Sequence, residues 1–392
     1  AEQWVDLTAE EQQTVGKTAY DTSDAYDALT EEQQAHLTEE YAALTALFEV
    51  MNADASAYAA GTQIDIYTQG VFANGIPIII KQNGNIVSAY ATDGTTLLSG
   101  TTDIAGYDIY GGSQSGTSNS GYTGGDTSIT IESGTLTKNV YGGGYNGATV
   151  TGNTYITMTG GTVNGRIYGG GYFSDTVTGS TNISISGGTT NNIFGGAQGG
   201  SSSYHSSVGS SNITISGTAS VNWVEGGGHN DTSVTNTATI KVEGGTVRGS
   251  ICGGGCGGTD MAADVGAVDI RVSGGTVDGA IYGGSESNGI VKGDALITVS
   301  GSANTGWIYG GGRNNSAVNG TVKINVTTTG TIKSIVGGGR MNSAAKNSVG
   351  SVEITLNNTS ASYIYGGGYD TAAVNGNITI KIGSAGRADW IY

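Results

Sequence analysis

The residues best suited to chemistry are two cysteines, Cys252 and Cys256, which flank a run of three glycines and are the only cysteines in the chain. Elsewhere the same kind of glycine run lies between Tyr168 and Tyr172, so each cysteine replaces an aromatic residue. If the glycine corner folds the two positions together, their Cα atoms fall within the disulfide range of about 4.4 to 6.8 Å. We therefore predict a local disulfide, which is typical of an oxidising compartment.

Metal and catalytic chemistry lack the residues that they would need. The three histidines, His36, His205 and His229, are scattered, so the cysteines do not complete a zinc pattern. The acidic residues of the glycine-rich region show no repeating pair of the kind that glycoside hydrolysis requires. Calcium-binding nonapeptides and a nucleophile elbow are also missing from the sequence. We predict no catalytic residue, no metal site and no cofactor, and hence not an enzyme.

Large side chains recur in two series that are candidate binding surfaces. The first series follows an isoleucine or valine and comprises Tyr110, Tyr141, Tyr168, Phe194, Tyr282, Tyr309, Tyr365 and Tyr392. The second series, four residues later, comprises Tyr145, Tyr172, His229, Arg313, Arg340 and Tyr369. Strand alternation places Tyr168 on the same face as Asn164 and Arg166, which predicts an outward face.

Two interpretations of these series remain open. The rings either stack on one another and shield the corner, or contact sugar rings or a protein partner. In the second case the predicted binding residues are Tyr141, Tyr145, Tyr168, Tyr172, Tyr282, Tyr309, Arg313, Tyr365 and Tyr369.

An internal repeat must position these residues. An apolar residue followed by a large residue and two or three glycines recurs from Ile109 to Ile391 at intervals of 26–31 residues. Pairs such as Ile156 with Met158 alternate with polar residues, which indicates strands that bury one face. Such a unit buries that face only by stacking on equivalent units. We predict an all-β protein, a parallel β-helix (β-solenoid) of about ten coils, with glycines at the corners.

Composition limits the partners. The chain of 392 residues has 32 acidic and 15 basic residues and a formal net charge of −17, which disfavours nucleic acid as a partner. No apolar run approaches the roughly 18 residues that cross a bilayer, so we expect no membrane insertion in this segment. Ala1 resembles the residue left by signal-peptide cleavage, which predicts secretion.

The sequence divides into three segments. Residues 1–58 are rich in Glu, Gln, Ala and Leu and predict a helical module or cap. Residues 59–100 predict a β-rich transition that closes one end of the solenoid, with strands at 63–68, 76–81 and 85–91. Residues 101–392 are the solenoid repeats, and the chain is expected to continue beyond the incomplete repeat at its C-terminus.

Two segments resemble known surface proteins. The segment Gly160–Gly171 resembles the glycine-rich β-helix repeats of large bacterial cell-surface, adhesin-like proteins, and Ala25–Gln33 resembles short helical modules of Gram-positive surface proteins. The resemblance implies an extracellular adhesin-like protein, secreted or attached to the cell surface, that displays loops and a tyrosine-rich face to host or bacterial glycans or surface proteins. A β-helix polysaccharide lyase or glycoside hydrolase is the alternative, and a passive surface spacer is a second alternative.

Overall fold

The structure, a computed structural model, describes residues 64–115, 122–200, 205–259, 261–340 and 348–392. Every regular element in these ranges is a β-strand, and most strands pair in parallel with the strand one coil away. The prediction of an all-β parallel solenoid of about ten coils is confirmed. The predicted helical module, residues 1–58, lies outside the described residues.

One sheet of the solenoid contains the longer strands. It consists of β3 (Ile78–Asn83), β4 (Ile86–Tyr90), β6 (Tyr122–Thr123), β7 (Thr127–Ile131), β10 (Thr149–Val150), β11 (Thr154–Met158), β14 (Thr176–Ile185), β17 (Ser206–Ile215), β20 (Thr232–Val242), β23 (Ala263–Val272), β25 (Ser287–Val291), β26 (Ala295–Val299), β28 (Asn314–Val326), β30 (Ser348–Leu356), β32 (Ala373–Val374) and β33 (Ile378–Ile382).

The facing sheet contains shorter strands, and those that carry the repeat's large residue lead into the glycine corner. It consists of β1 (Asp65–Tyr67), β2 (Gly70–Phe72), β5 (Ile109–Tyr110), β8 (Thr135–Leu136), β9 (Val140–Tyr141), β12 (Thr162–Val163), β13 (Ile167–Tyr168), β15 (Thr189–Thr190), β16 (Ile193–Phe194), β18 (Ser220–Val221), β19 (Val224–Glu225), β21 (Thr246–Val247), β22 (Ile251–Cys252), β24 (Thr276–Tyr282), β27 (Asn304–Tyr309), β29 (Ile332–Val336), β31 (Ser360–Tyr365) and β34 (Arg387–Ile391).

The core lies between the two sheets and is shared by all coils. Ile129, Ile156 and Ile183 stand opposite one another in register on β7, β11 and β14, and each is at most 2% exposed. From the other sheet, Ile167 and Ile193 are fully buried and in register. Burying one branched side chain stabilises the fold by roughly 1.5 to 3 kcal/mol relative to leaving it exposed. Because the isoleucines of successive coils form a continuous column, a chain of modest apolar content can stabilise the solenoid.

The glycine corners bring successive coils into close contact. A Cβ atom at Gly169 would collide with the carbonyl oxygen of Gly195 in the next coil, so no larger residue fits there without a shift of the backbone. The carbonyl oxygen of Gly169 accepts a hydrogen bond of 2.6 Å from the buried hydroxyl of Thr154. A buried threonine therefore satisfies the corner carbonyl that the sharp turn removes from solvent.

The N-terminal end of the described solenoid carries antiparallel hairpins. β1 pairs with β2, and β3 pairs with β4 through a turn in which Gly84 has φ of +60°. β2 and β3 continue into the parallel sheets by pairing with β5 and β7. Strands β1, β3 and β4 lie where the sequence predicts strands, and β2 is an additional strand.

Candidate binding groove

The first series of large side chains, extended by Phe72, forms a column of stacked rings, which we call the aromatic column. Phe72, Tyr110, Tyr141, Tyr168 and Phe194 stack with ring centroids 4.7–5.0 Å apart and interplanar angles of 5–11°. Each of these side chains is at most 1% exposed. The separation follows from the strand spacing of about 4.8 Å, which brings equivalent rings to stacking distance.

These rings lie on the face of the sheet opposite the core, but the prediction that they are exposed is wrong: Tyr141 and Tyr168 are buried, and Tyr282 and Tyr309 are 2% and 3% exposed. The second series covers the rings: Tyr172 lies with its ring centroid 5.9 Å from that of Tyr141. A ring buried in this way offers no free face to a sugar. Tyr365 is half-buried and stacks on Tyr392 at 5.1 Å, so its ring also belongs to a column of stacked rings.

The aromatic column is interrupted in two successive coils, where Glu225 and Cys252 stand in register between Phe194 and Tyr282. Glu225 is 2% exposed, and its Oε2 atom has no hydrogen-bond partner among the described residues. Burial raises the pKa of Glu225 well above its usual range, and the neighbouring Glu286 adds to that rise while Arg166 opposes it.

Both cysteines are free thiols in the structure, and the predicted disulfide is not formed. Cys252 is buried at the position that a ring occupies in other coils, whereas the backbone of Cys256 pairs with that of His229 on one side and Ser287 on the other. The three glycines between them thus keep the two cysteines in separate columns. Burial raises the pKa of Cys252 well above its usual value and that of Cys256 to about 12, so both thiols are protonated at neutral pH.

Polar side chains of the second series pack around the interruption. Arg313 donates a hydrogen bond from Nη1 to Oε1 of Glu286 at 3.0 Å, and Cys256 donates from Sγ to Oε2 of the same carboxylate at 3.3 Å. Burial, together with the nearby Arg166, lowers the pKa of His229 to about 4. The imidazole is therefore neutral at physiological pH.

A recess opens beside this interruption, two residues before the aromatic column. The four successive coils carry Trp223, Ser250, Ala280 and Trp307 at that position, and Ala280 pairs directly with Trp307. Ser250 and Ala280 are small and buried, so the side chains at this position leave a recess between the two indoles, with the guanidinium of Arg313 beside Trp223. Three strand spacings of about 4.8 Å place the backbones of the two tryptophans about 14 Å apart, and the recess is shorter than this because the Trp223 indole lies over Gly249 of the next coil.

We call this recess and its walls the tryptophan groove. It encloses about 490 Å³, within the range of about 300 to 1,000 Å³ that is typical of ligand sites. Its lining is aromatic and cationic and comprises Trp223, Ser250, Asp278, Gly279, Ala280, Tyr282, Gly306, Trp307, Tyr309, Arg313, Lys333, Arg340 and Tyr369.

The walls of the tryptophan groove are held by contacts among themselves. The guanidinium of Arg313 lies 5.5 Å from the ring centroid of Trp223, in a cation–π arrangement. At the other end, Trp307 stacks on Tyr309 with centroids 5.8 Å apart, and Tyr369 meets Trp307 edge-on at 6.1 Å. Both indoles are half-buried, and because Arg313 already lies over the Trp223 ring, Trp307 is the indole better placed to stack on a sugar ring.

The structure brings together four of the predicted binding residues, which line the groove: Tyr282, Tyr309, Arg313 and Tyr369. Tyr141, Tyr145, Tyr168, Tyr172 and Tyr365 lie elsewhere along the columns and do not line it. Sequence reasoning missed Trp223 and Trp307. The signal was available, because three of the four tryptophans of the chain, including Trp390, stand two residues before the repeat's large residue.

Two other features, a metal site and a membrane-spanning helix, were sought in the part of the chain that the structure describes. No three His, Cys, Asp or Glu side chains there are arranged to hold a metal ion. No described helix is long and apolar enough to cross a membrane. No known protein family, curated protein or solved structure matches the chain. Fold and groove define it as a parallel β-solenoid with a lateral aromatic groove.

Proposed function

We propose that this chain is a non-enzymatic, adhesin-like binding protein of the cell surface, secreted or attached, and that it binds a glycan in the tryptophan groove. The observation that carries the proposal is the pair of half-buried indoles, Trp223 and Trp307, on either side of a recess with a small-residue floor. A rigid stack of coils is suited to presenting such a groove, because each coil is fixed by its neighbours.

The proposal moves the contact surface away from the stacked tyrosines. A buried ring such as Tyr168 stabilises the corner, and a partly exposed indole such as Trp307 is available to a ligand. Interface energy concentrates in a few large side chains, with tryptophan, tyrosine and arginine enriched among them. The tryptophan groove provides all three types at one place.

The test is a glycan array with the chain and its Trp307→Ala variant. We expect the variant to lose about tenfold or more in affinity for any glycan bound by the parent chain. Trp390→Ala is the matched control, because Trp390 occupies the same position of a different coil, is 60% exposed and does not line the groove. Equal binding by the parent chain and Trp307→Ala would place the glycan elsewhere.

A polysaccharide lyase or glycoside hydrolase is the alternative. Hydrolases use two carboxyl groups about 5 to 9.5 Å apart. Asp278 is the one carboxylate among the described residues that line the groove, which favours binding over hydrolysis. Release of shorter saccharides or of unsaturated products from a bound polysaccharide would favour the enzyme, and loss of that release in Asp278→Asn would assign it to the groove.

A further inference from the structure

We infer that the tryptophan groove selects glycans that carry an anionic group, a carboxylate or a sulfate. This inference rests on the proposed function, since it names the class of glycan that the same groove takes. It depends on the cationic side chains that line the groove together with its aromatic residues.

The charge of the groove is opposite to that of the chain. Arg313, Lys333 and Arg340 line the groove together, although the whole chain has only 15 basic residues and a net charge of −17. Asp278 is the one carboxylate among the described residues that line the groove. Glu286 does not line the groove, but it pairs with Arg313 at 3.0 Å. Cations thus outnumber carboxylates in the lining by three to one, and an excess of one sign in a concave surface favours a ligand of the other sign.

The buried carboxyl group nearby does not cancel this charge. Glu225 is enclosed beneath the second series, and burial favours its protonated, neutral form. Charges farther than about 8 Å are largely screened at physiological ionic strength, so the groove's own side chains dominate the potential felt by a short ligand. The remaining acidic residues of the chain therefore do not prevent a small anion from binding there.

The two arginines are also held in place for binding. Arg313 is fixed between the carboxylate of Glu286 and the face of Trp223, and Arg340 hydrogen-bonds to Tyr282. A guanidinium offers a planar pair of N–H donors that matches the two oxygens of a carboxylate or sulfate. Because these side chains are already ordered, binding costs less side-chain entropy than it would for free arginines.

Aromatic and cationic groups together favour an acidic glycan over other anions. A sugar ring has an apolar face that stacks on Trp307, and its acidic substituent projects from the ring edge toward the cations. Inorganic phosphate would leave the indoles without a contact. Polymeric nucleic acid would meet the negative charge of the whole chain along its length.

The experiment is isothermal titration of the full chain with a tetramer of galacturonic acid and with its methyl ester, which has the same rings without the charge. We expect the acid to bind at least tenfold more tightly than the ester at physiological salt. Arg340→Gln and Lys333→Gln should each weaken binding of the acid at least fivefold, and weaken binding of the ester by less. Arg271→Gln is the control, because Arg271 is exposed, pairs with Asp269 on β23 and lies outside the groove lining.

Two further ligands test which anionic group the groove prefers and whether the ligand must be a glycan. A sulfated disaccharide that binds more tightly than the galacturonate tetramer assigns the anionic group to sulfate, and the reverse order assigns it to carboxylate. A tetraglutamate peptide that binds as tightly as either overturns the choice of a glycan. Equal affinity for the acid and the ester overturns the inference and leaves the proposed function standing, whereas the absence of any bound glycan on the array would refute the proposed function itself.

Discussion

Asp175 is a fully buried carboxyl group whose titration should be visible in the stability of the solenoid. It lies in the loop between β13 and β14 and ties two coils together: Oδ1 accepts a hydrogen bond from the amide of Gly144 at 2.9 Å, and Oδ2 accepts one from Gly171 at 2.8 Å. Removal from water outweighs these two bonds and raises the pKa of Asp175 from 3.8 to about 7.

The sign and size of the effect follow from that shift. The folded chain holds the Asp175 proton more tightly than the unfolded chain, so the stabilisation is complete below the unfolded pKa of 3.8 and is lost as pH rises to about 7. Each pKa unit corresponds to about 1.4 kcal/mol, so the whole window is on the order of 4 kcal/mol.

Urea unfolding of the chain and of Asp175→Asn across this window tests the prediction. Asparagine does not titrate, so the difference in unfolding free energy between the two proteins isolates the carboxyl group. We expect the advantage of the parent chain over Asp175→Asn to shrink by roughly 4 kcal/mol between about pH 4 and pH 7. Asp126→Asn controls for net charge, because Asp126 is exposed and likewise accepts an amide bond from the next coil. A constant difference would show that the two backbone bonds balance desolvation, and one that grows with pH would show that they outweigh it; either result would refute the reasoning.

Three further predictions concern the aromatic column, the thiols and the groove. Tyr168→Ala should lower the free energy of unfolding by about 3 to 5 kcal/mol because it opens a cavity between two stacked rings, whereas Tyr168→Phe should lower it by under about 1 kcal/mol. Equal urea midpoints for the parent and the alanine variant would contradict the stacking of these rings. Thiol titration of the unreduced chain should find two thiols after unfolding and slow reaction of Cys252 before it, since that side chain is fully buried; a single disulfide in the peptide mass map would contradict the free-thiol arrangement. Ala280→Phe should fill the recess and abolish glycan binding with no loss of secondary structure by circular dichroism, and retained binding would argue against the groove.

The fold was predictable because its determinants are local and repeated. Alternation of Ile156 and Met158 with polar neighbours identifies the buried face of one strand, and the recurrence of Ile109-type residues fixes the number of coils. The burial of Tyr168 could not be predicted from alternation. Val163 and Ile167 belong to the core, so alternation places Tyr168 on the opposite face of the sheet, but it does not show that a second layer of side chains covers that face. After Tyr168 the chain turns at Gly169, and the second series returns over the ring.

The tryptophan groove was harder to predict because it depends on register across four coils of unequal length. The repeat's apolar residues Val224, Ile251, Ile281 and Ile308 are in register although 27, 30 and 27 residues separate them, since the loops absorb the difference. Only after that alignment do the two small residues come to lie between the two tryptophans. In a solenoid whose equivalent positions are usually filled, a recess requires small side chains in consecutive coils, and Ser250 and Ala280 provide two.

The aromatic column is interrupted within the same coils, by Glu225 and Cys252, and the second series there supplies Arg313 instead of a ring. One short stretch of the repeat therefore departs from the stacking pattern at three columns at once, and that coincidence is the reason to place the binding site there instead of along the uninterrupted rings.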